Sequence, residues 1–172
     1  MTLLDQFKRI TTFVFDMDGV LTDGTVYVLD GGQYRRMNIK DGFALQLAIK
    51  KRYRVVVISG STSDPAVDRL HKLGLVDIFM GVKDKKARLE EYMRQHGLQA
   101  AEVLMMGDDI PDYEVMKTAG LACAPADAVT EIKEAAHYIS LHTGGMGCVR
   151  DVIEKVLKLN DHWDLYTHTA SI

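Results

Sequence analysis

The chain has 172 residues, 47% of them hydrophobic, and a formal net charge of -3 at pH 7. That length suits one domain with a real core, and the charge argues against a nucleic-acid binder, which needs a face-wide basic excess. No stretch approaches the ~20 apolar residues of a membrane span, and the first apolar run is cut short by Asp16, so no leader pattern is read.

In chain order, the run Phe13-Val14-Phe15 reads as a buried strand that ends on Asp16-Met17-Asp18-Gly19-Val20-Leu21-Thr22-Asp23. Residues 25–29 and 33–39 flank Asp30-Gly31-Gly32, a hairpin signal with turn residues that tolerate positive φ. One helix fits between this hairpin and a strand at 55–58. Asp64 can cap the next helix, with Pro65 at its first position and Gly74 as its stop. Strands follow at 77–79, 103–106, 121–124 and 138–140, separated by helices from about 84 to 95, Pro111 to Gly120, and 127 to 136. A last helix spans about 147–159 and a tail covers 160–172. Strand–helix alternation of this kind predicts a doubly wound α/β domain, 1–172, on a mostly parallel sheet.

Ligands of such folds bind beyond the carboxyl ends of the strands, so the residues after each strand carry the functional reading. Asp16 and Asp18 follow the first strand. Two carboxylates beside a core strand need a cation or a proton. Ser59-Gly60-Ser61-Thr62 follows the second, and Gly107-Asp108-Asp109-Ile110-Pro111-Asp112 the fourth. Capping explains one of those last aspartates but hardly three. Lys85 opens a helix, a poor place for a cation by the helix dipole unless a phosphate binds there. Together the residues supply a phosphoryl-transfer site: carboxylates for Mg²⁺, a hydroxyl and an ammonium for phosphate, one carboxylate to attack and one to move a proton. Arg35-Arg36 and Lys50-Lys51-Arg52 read as solvated clusters, the six histidines show no metal-binding spacing, and Cys123 and Cys148 read as reduced core residues of a cytoplasmic protein.

The same segments resemble, in order, the four motifs of haloacid dehalogenase superfamily phosphatases. The resemblance implies a Rossmann-like sheet, Asp16 as nucleophile and Asp18 as general acid/base. It places Mg²⁺ on Asp16, the Asp18 backbone carbonyl and Asp108, phosphate on Ser59 and Lys85, and Asp109 and Asp112 behind them as orienters. Neither inter-motif gap holds a cap domain, so the chain resembles the capless type with only the 25–39 hairpin as a flap. Gly24-Thr25-Val26-Tyr27, residues 37–42 and Gly144-Gly145-Met146-Gly147 are similar to 3-deoxy-D-manno-octulosonate 8-phosphate phosphatases. That likeness implies a phosphorylated sugar-acid substrate, a homotetramer and a tail that reaches a neighbouring site; charge and the shortness of the apolar runs lead to the expectation of no nucleic-acid or membrane partner. Thr22, Lys40, Asp41, Gly42 and Lys72 become candidate substrate contacts, with Arg69 and Arg150 as further carboxylate partners. Ser61 and Met146 stand where that group commonly has arginine, the residue suited to bidentate carboxylate recognition. Nonulosonate 9-phosphate phosphatases, similar at Lys72 but carrying Glu at position 61, are the alternative subgroup. A phospho-accepting receiver module is the alternative of another class, disfavoured by where its phospho-acceptor would fall.

Overall fold

Strands that are apolar at every position need cover on both faces, and the order of elements supplies it. The computed structural model describes residues 1–62, 64–165, 168–170 and 172; the expected cap at the Asp64 side chain and Tyr166 of the tail lie outside the described residues. The chain begins with α1 (Leu3–Arg9) and β1 (Thr12–Phe15), then makes a hairpin of β2 (Tyr27–Leu29) and β3 (Gly32–Tyr34). There follow α2 (Ile39–Lys50), β4 (Arg54–Ile58), α3 (Asp64–Lys72), β5 (Asp77–Phe79), α4 (Lys85–His96) and β6 (Val103–Met106). The chain continues through α5 (Tyr113–Met116), β7 (Leu121–Ala124), α6 (Thr130–Ala135), β8 (Tyr138–Ile139) and α7 (Cys148–Leu159). Six strands pair in the order β5-β4-β1-β6-β7-β8, all parallel.

Alternation along each strand splits the core in two. Phe13, Phe15, Val55, Val57, Leu104 and Met106 face one side, where α1, α2, α3 and α7 cover them. Val14, Val56, Ile58 and Met105 face the other, under α4, α5 and α6. The chain winds from β1 outward through β4 to β5, then returns past β1 to β6. The switch point therefore lies at β1, where Asp16 emerges. Among the described residues, no helix is long and apolar enough to cross a membrane.

All six expected strands form, each within a residue or so of its expected bounds. The hairpin is shorter than 25–39, because Met37 bridges back to Thr22 and Asn38 caps α2, its Oδ1 accepting from Lys40 N at 2.8 Å. The helix expected over 111–120 shortens to a turn at Ile110–Asp112 and the single turn of α5. It ends before Gly120, where a Cβ would stand 2.6 Å from the Ala100 carbonyl. α6 starts at Thr130 rather than 127, because the Asp127 carboxylate accepts from Gly144 N at 2.8 Å instead of capping its own helix. The described residues of the tail lie on their own chain: Trp163 packs edge-on to Phe43 at 6.3 Å, and Arg69 donates to the Ile172 carbonyl.

Asp41 is structural rather than placed for substrate. It is buried in the first turn of α2, and its carboxylate accepts from Arg150 N at 2.7 Å and Gly147 N at 3.2 Å. Gly147 at the N-cap of α7 has no side chain with which to cap it, so Asp41 caps that helix from another element. Burial pushes its carboxyl up to about 6 despite these two donors. Asp41→Ala is expected to cost about 1–2 kcal/mol in urea denaturation, and Asp41→Asn, which keeps an acceptor, less. Equal stability of Asp41→Ala and wild type would remove this role.

Candidate active site

The segment after β1 is one wide turn, Met17–Leu21, held by Thr22 N donating to Met17 O at 3.0 Å. Gly19 sits at φ 91°, and a Cβ on it would fall 1.9 Å from Asp108 Oδ2. Only glycine lets this turn and the acidic loop after β6 approach so closely. Thr22 fastens the turn from inside: its Oγ1 accepts from Gly19 N and Gly24 N, each at 3.3 Å, and donates to Asp18 Oδ1 at 3.4 Å. The Gly144–Gly145 turn backs the same segment, with Gly145 N donating to Val20 O at 2.9 Å.

Around it the strand ends bring together Asp16, Asp18, Ser59, Ser61, Lys85, Asp108, Asp109 and Asp112, lining a cavity of about 310 Å³. Lys85 Nζ donates to Asp16 Oδ1 and to Asp112 Oδ1, both at 2.7 Å. Asp112 Oδ2 accepts from Asp108 N at 3.1 Å, so Asp112 spends both oxygens holding its neighbours. Asp109 accepts from Ile110 N at 2.8 Å at the start of the following turn. Ser59 is buried, its hydroxyl 3.0 Å from that of Ser61.

One ammonium faces three carboxylates here. Asp16, Asp108 and Asp112 each bring an oxygen within 4.8 Å of the others. Burial and then the Asp112 charge push Asp16 up to about 6. Burial, then the charges of Asp16, Asp112 and Asp109, push Asp108 up to about 8. Burial works against the charge of Lys85, but the anions of Asp112 and Asp16 outweigh it and hold the lysine above its ordinary value. Asp108 Oδ1 is buried with no partner among the described residues. An orphan oxygen in a cluster of hard donors with an excess of negative charge fits a small divalent cation. Lys85→Met is expected to lower metal-free stability by about 3 kcal/mol in urea denaturation, since it strands two buried carboxylates. No loss would show the pair to be unimportant.

Not every expected residue comes to this cavity. Lys40 lies in a larger groove of about 1030 Å³ between the start of α2 and α7, together with Met146 and Arg150. Gly42 is a packing glycine: a Cβ there would sit 3.2 Å from Arg69 Nη2 and 3.3 Å from Leu73. Lys72 ends α3 just before β5 begins, which puts it at the amino-terminal end of the parallel strands, away from the site. The reading of Arg35 as a solvated residue is corrected. Its side chain is 4% exposed and grips Asp18 with two nitrogens, Nε to Oδ1 at 2.6 Å and Nη2 to Oδ2 at 3.1 Å. A basic pair just after the hairpin turn carries no spacing that would have separated this arginine from its solvated neighbour.

Two carboxylates on a switch-point loop, with a lysine, a serine and a second acidic loop around them, define a phosphoryl-transfer centre. The sequence pattern of haloacid dehalogenase-like hydrolases matches residues 70–153. The chain is similar to 3-deoxy-D-manno-octulosonate 8-phosphate phosphatase of Yersinia pestis, 31% identical over 160 residues, 92% of this chain and 86% of the relative. A crystal structure of that phosphatase from Yersinia pestis matches with a TM-score of 0.93 at 30% identity, covering 99% of this chain and 92% of the other. Another from Moraxella catarrhalis, in complex with a magnesium ion, a phosphate ion and a KDO molecule, matches with a TM-score of 0.88 at 29% identity over 92% of each chain. The chain belongs to the haloacid dehalogenase-like hydrolases. Within that family it is a phosphatase, and the receiver-module reading falls.

Proposed function

We propose that the protein is a Mg²⁺-dependent phosphatase that hydrolyses 3-deoxy-D-manno-octulosonate 8-phosphate through an aspartyl-phosphate. The observation that carries it is the placement of Asp16 and Asp18 on one loop of the cavity, with Lys85 2.7 Å from Asp16. Mg²⁺ held by Asp16, the Asp18 carbonyl and Asp108 would offset the charge of carboxylate and phosphate as they meet. The Asp16 carboxylate attacks phosphorus, forming an O–P bond as the bond to the sugar oxygen breaks. Asp18 donates a proton to that leaving oxygen, then takes one from the water that cleaves the aspartyl-phosphate. Ser59 and Lys85 hold the remaining phosphoryl oxygens, while Asp112 and Asp109 orient Lys85 and the Asp108 loop.

The eight-carbon substrate is favoured by the relatives, while Ser61 is neither the arginine of that group nor the glutamate of the nine-carbon subgroup. Phosphate release from a panel of eight- and nine-carbon sugar-acid phosphates, hexose phosphates and nucleotides, with Mg²⁺ and with excess chelator, tests this reading. The expected result is the highest kcat/KM for the eight-carbon compound and none in chelator. A preference by orders of magnitude for a hexose phosphate or nucleotide would overturn the substrate, and full activity in chelator the metal.

The reading extends to a cytoplasmic homotetramer. Supporting the assembly, the hairpin carries Val28 at 76% and Leu29 at 62% exposure, apolar surface that one chain leaves uncovered. Light scattering that finds an active monomer would defeat the tetramer.

A further inference from the structure

Arg35 is the least expected element of the site, and its contacts are unusual for an ion pair at the edge of a cavity. The guanidinium comes from the end of the hairpin, reaches Asp18 with its Nε and Nη2, and is buried apart from its 4% exposure. Its remaining nitrogen, Nη1, is buried with no acceptor among the described residues. A buried donor left unmade is costly and calls for a partner. The grip also occupies both oxygens of Asp18, Oδ1 with Arg35 and Thr22 and Oδ2 with Arg35 alone. Oδ1 is thus held by two donors, while Oδ2, with one, keeps a lone pair for the proton it passes on. The contact to Oδ2, at 3.1 Å, is longer than the 2.6 Å contact to Oδ1 and involves no second donor.

We infer that Arg35 is a positioning residue for Asp18: its two contacts fix the carboxylate in the orientation from which Oδ2 passes its proton. The rigid planar fork suits this role, because two contacts from one guanidinium fix the rotation of the carboxylate as a single contact cannot. The hairpin thereby sets the aim of the proton donor.

This inference rests on the reading of Asp18 as proton donor, and the test separates the two. Wild type, Arg35→Ala, Arg35→Lys, Asp18→Asn and the Arg35→Ala/Asp18→Asn double variant are assayed with Mg²⁺ on two esters. One is 3-deoxy-D-manno-octulosonate 8-phosphate, whose sugar alkoxide must be protonated as it leaves. The other is p-nitrophenyl phosphate, whose phenolate leaves without a proton. Misaiming a catalytic group by about 1 Å costs about 100-fold, so Arg35→Ala should lower kcat/KM for the sugar ester about 100-fold and far less for the nitrophenyl ester. Arg35→Lys, which keeps charge and fold but lacks the fork, should fall between. The double variant should lose no more than Asp18→Asn alone, because both act through one carboxylate. Equal losses on the two esters in both Arg35 variants, or additive losses in the double variant, would overturn the inference. If wild type ignores the sugar acid but cleaves another alkyl phosphate, the substrate assignment fails alone, and the same comparison is made on that ester.

Discussion

Asp16→Asn is expected to abolish phosphate release while leaving the protein folded. The amide keeps the shape of the carboxylate and its oxygen still accepts from Lys85, but it cannot attack phosphorus. Asp18→Asn should fall ~10²–10⁴-fold, the usual worth of a positioned proton donor. The two variants differ in what accumulates. Mass spectrometry of quenched Asp18→Asn should show a phosphorylated chain, because hydrolysis of the aspartyl-phosphate also needs Asp18, whereas Asp16→Asn should show none. Stability should move the other way. Burial and the neighbouring Asp112 raise Asp16 from 3.8 to about 6, so the fold disfavours its charge at neutral pH. Metal-free Asp16→Asn should therefore melt no lower than wild type at pH 8, as expected where a site holds strain for function. Wild-type turnover by a verified Asp16→Asn protein would sink the covalent mechanism.

Much of this was legible in the sequence because its strands are short, apolar and sharply ended. Phe13-Val14-Phe15 and Val103–Met106 could only be buried strands, and the residues just beyond them, Asp16, Asp18 and Asp108, had to share one end of a parallel sheet. In the sequence Lys85 stands out only as a cation ill-placed at a helix start, its role coming from the family resemblance, and the structure shows what makes that place tolerable: it is paired with Asp16 and Asp112. Other features turned on contacts between distant segments. Asp41 was expected at the substrate but caps α7, more than a hundred residues on. Asp127 was expected to begin a helix but holds Gly144. Arg35 looked solvated because burial of a charge depends on a partner that only the folded hairpin brings near. α1 went unread although Thr2 and Asp5 form a capping box, a signal that was present in the sequence.

Metal and pH should act on stability in opposite directions at Asp108. Its carboxyl is raised from 3.8 to about 8, so the folded protein holds a proton there that the unfolded chain has released. Where the native state binds more protons than the unfolded state, stability falls as pH rises. The metal-free protein should thus lose stability between pH 6 and 8 through Asp108, after Asp16 and Asp41, each at about 6, have made most of their own contribution at lower pH. Mg²⁺ bound to the folded chain favours the ionised carboxylate and reverses the sign. At a hundredfold excess over its Kd it should add about 2.7 kcal/mol, which for a chain of this size raises Tm by roughly 5–10 °C. Asp108→Asn should remove both effects together: a flatter metal-free profile from pH 6 to 8, a higher metal-free Tm at pH 8, and no shift with Mg²⁺. Differential scanning calorimetry of the two proteins at pH 6 and 8, with chelator and with Mg²⁺, reads all three. A metal-free Tm that rises from pH 6 to 8 in wild type alone would reverse the assigned sign, and an undiminished Mg²⁺ shift in Asp108→Asn would take Asp108 out of the metal site.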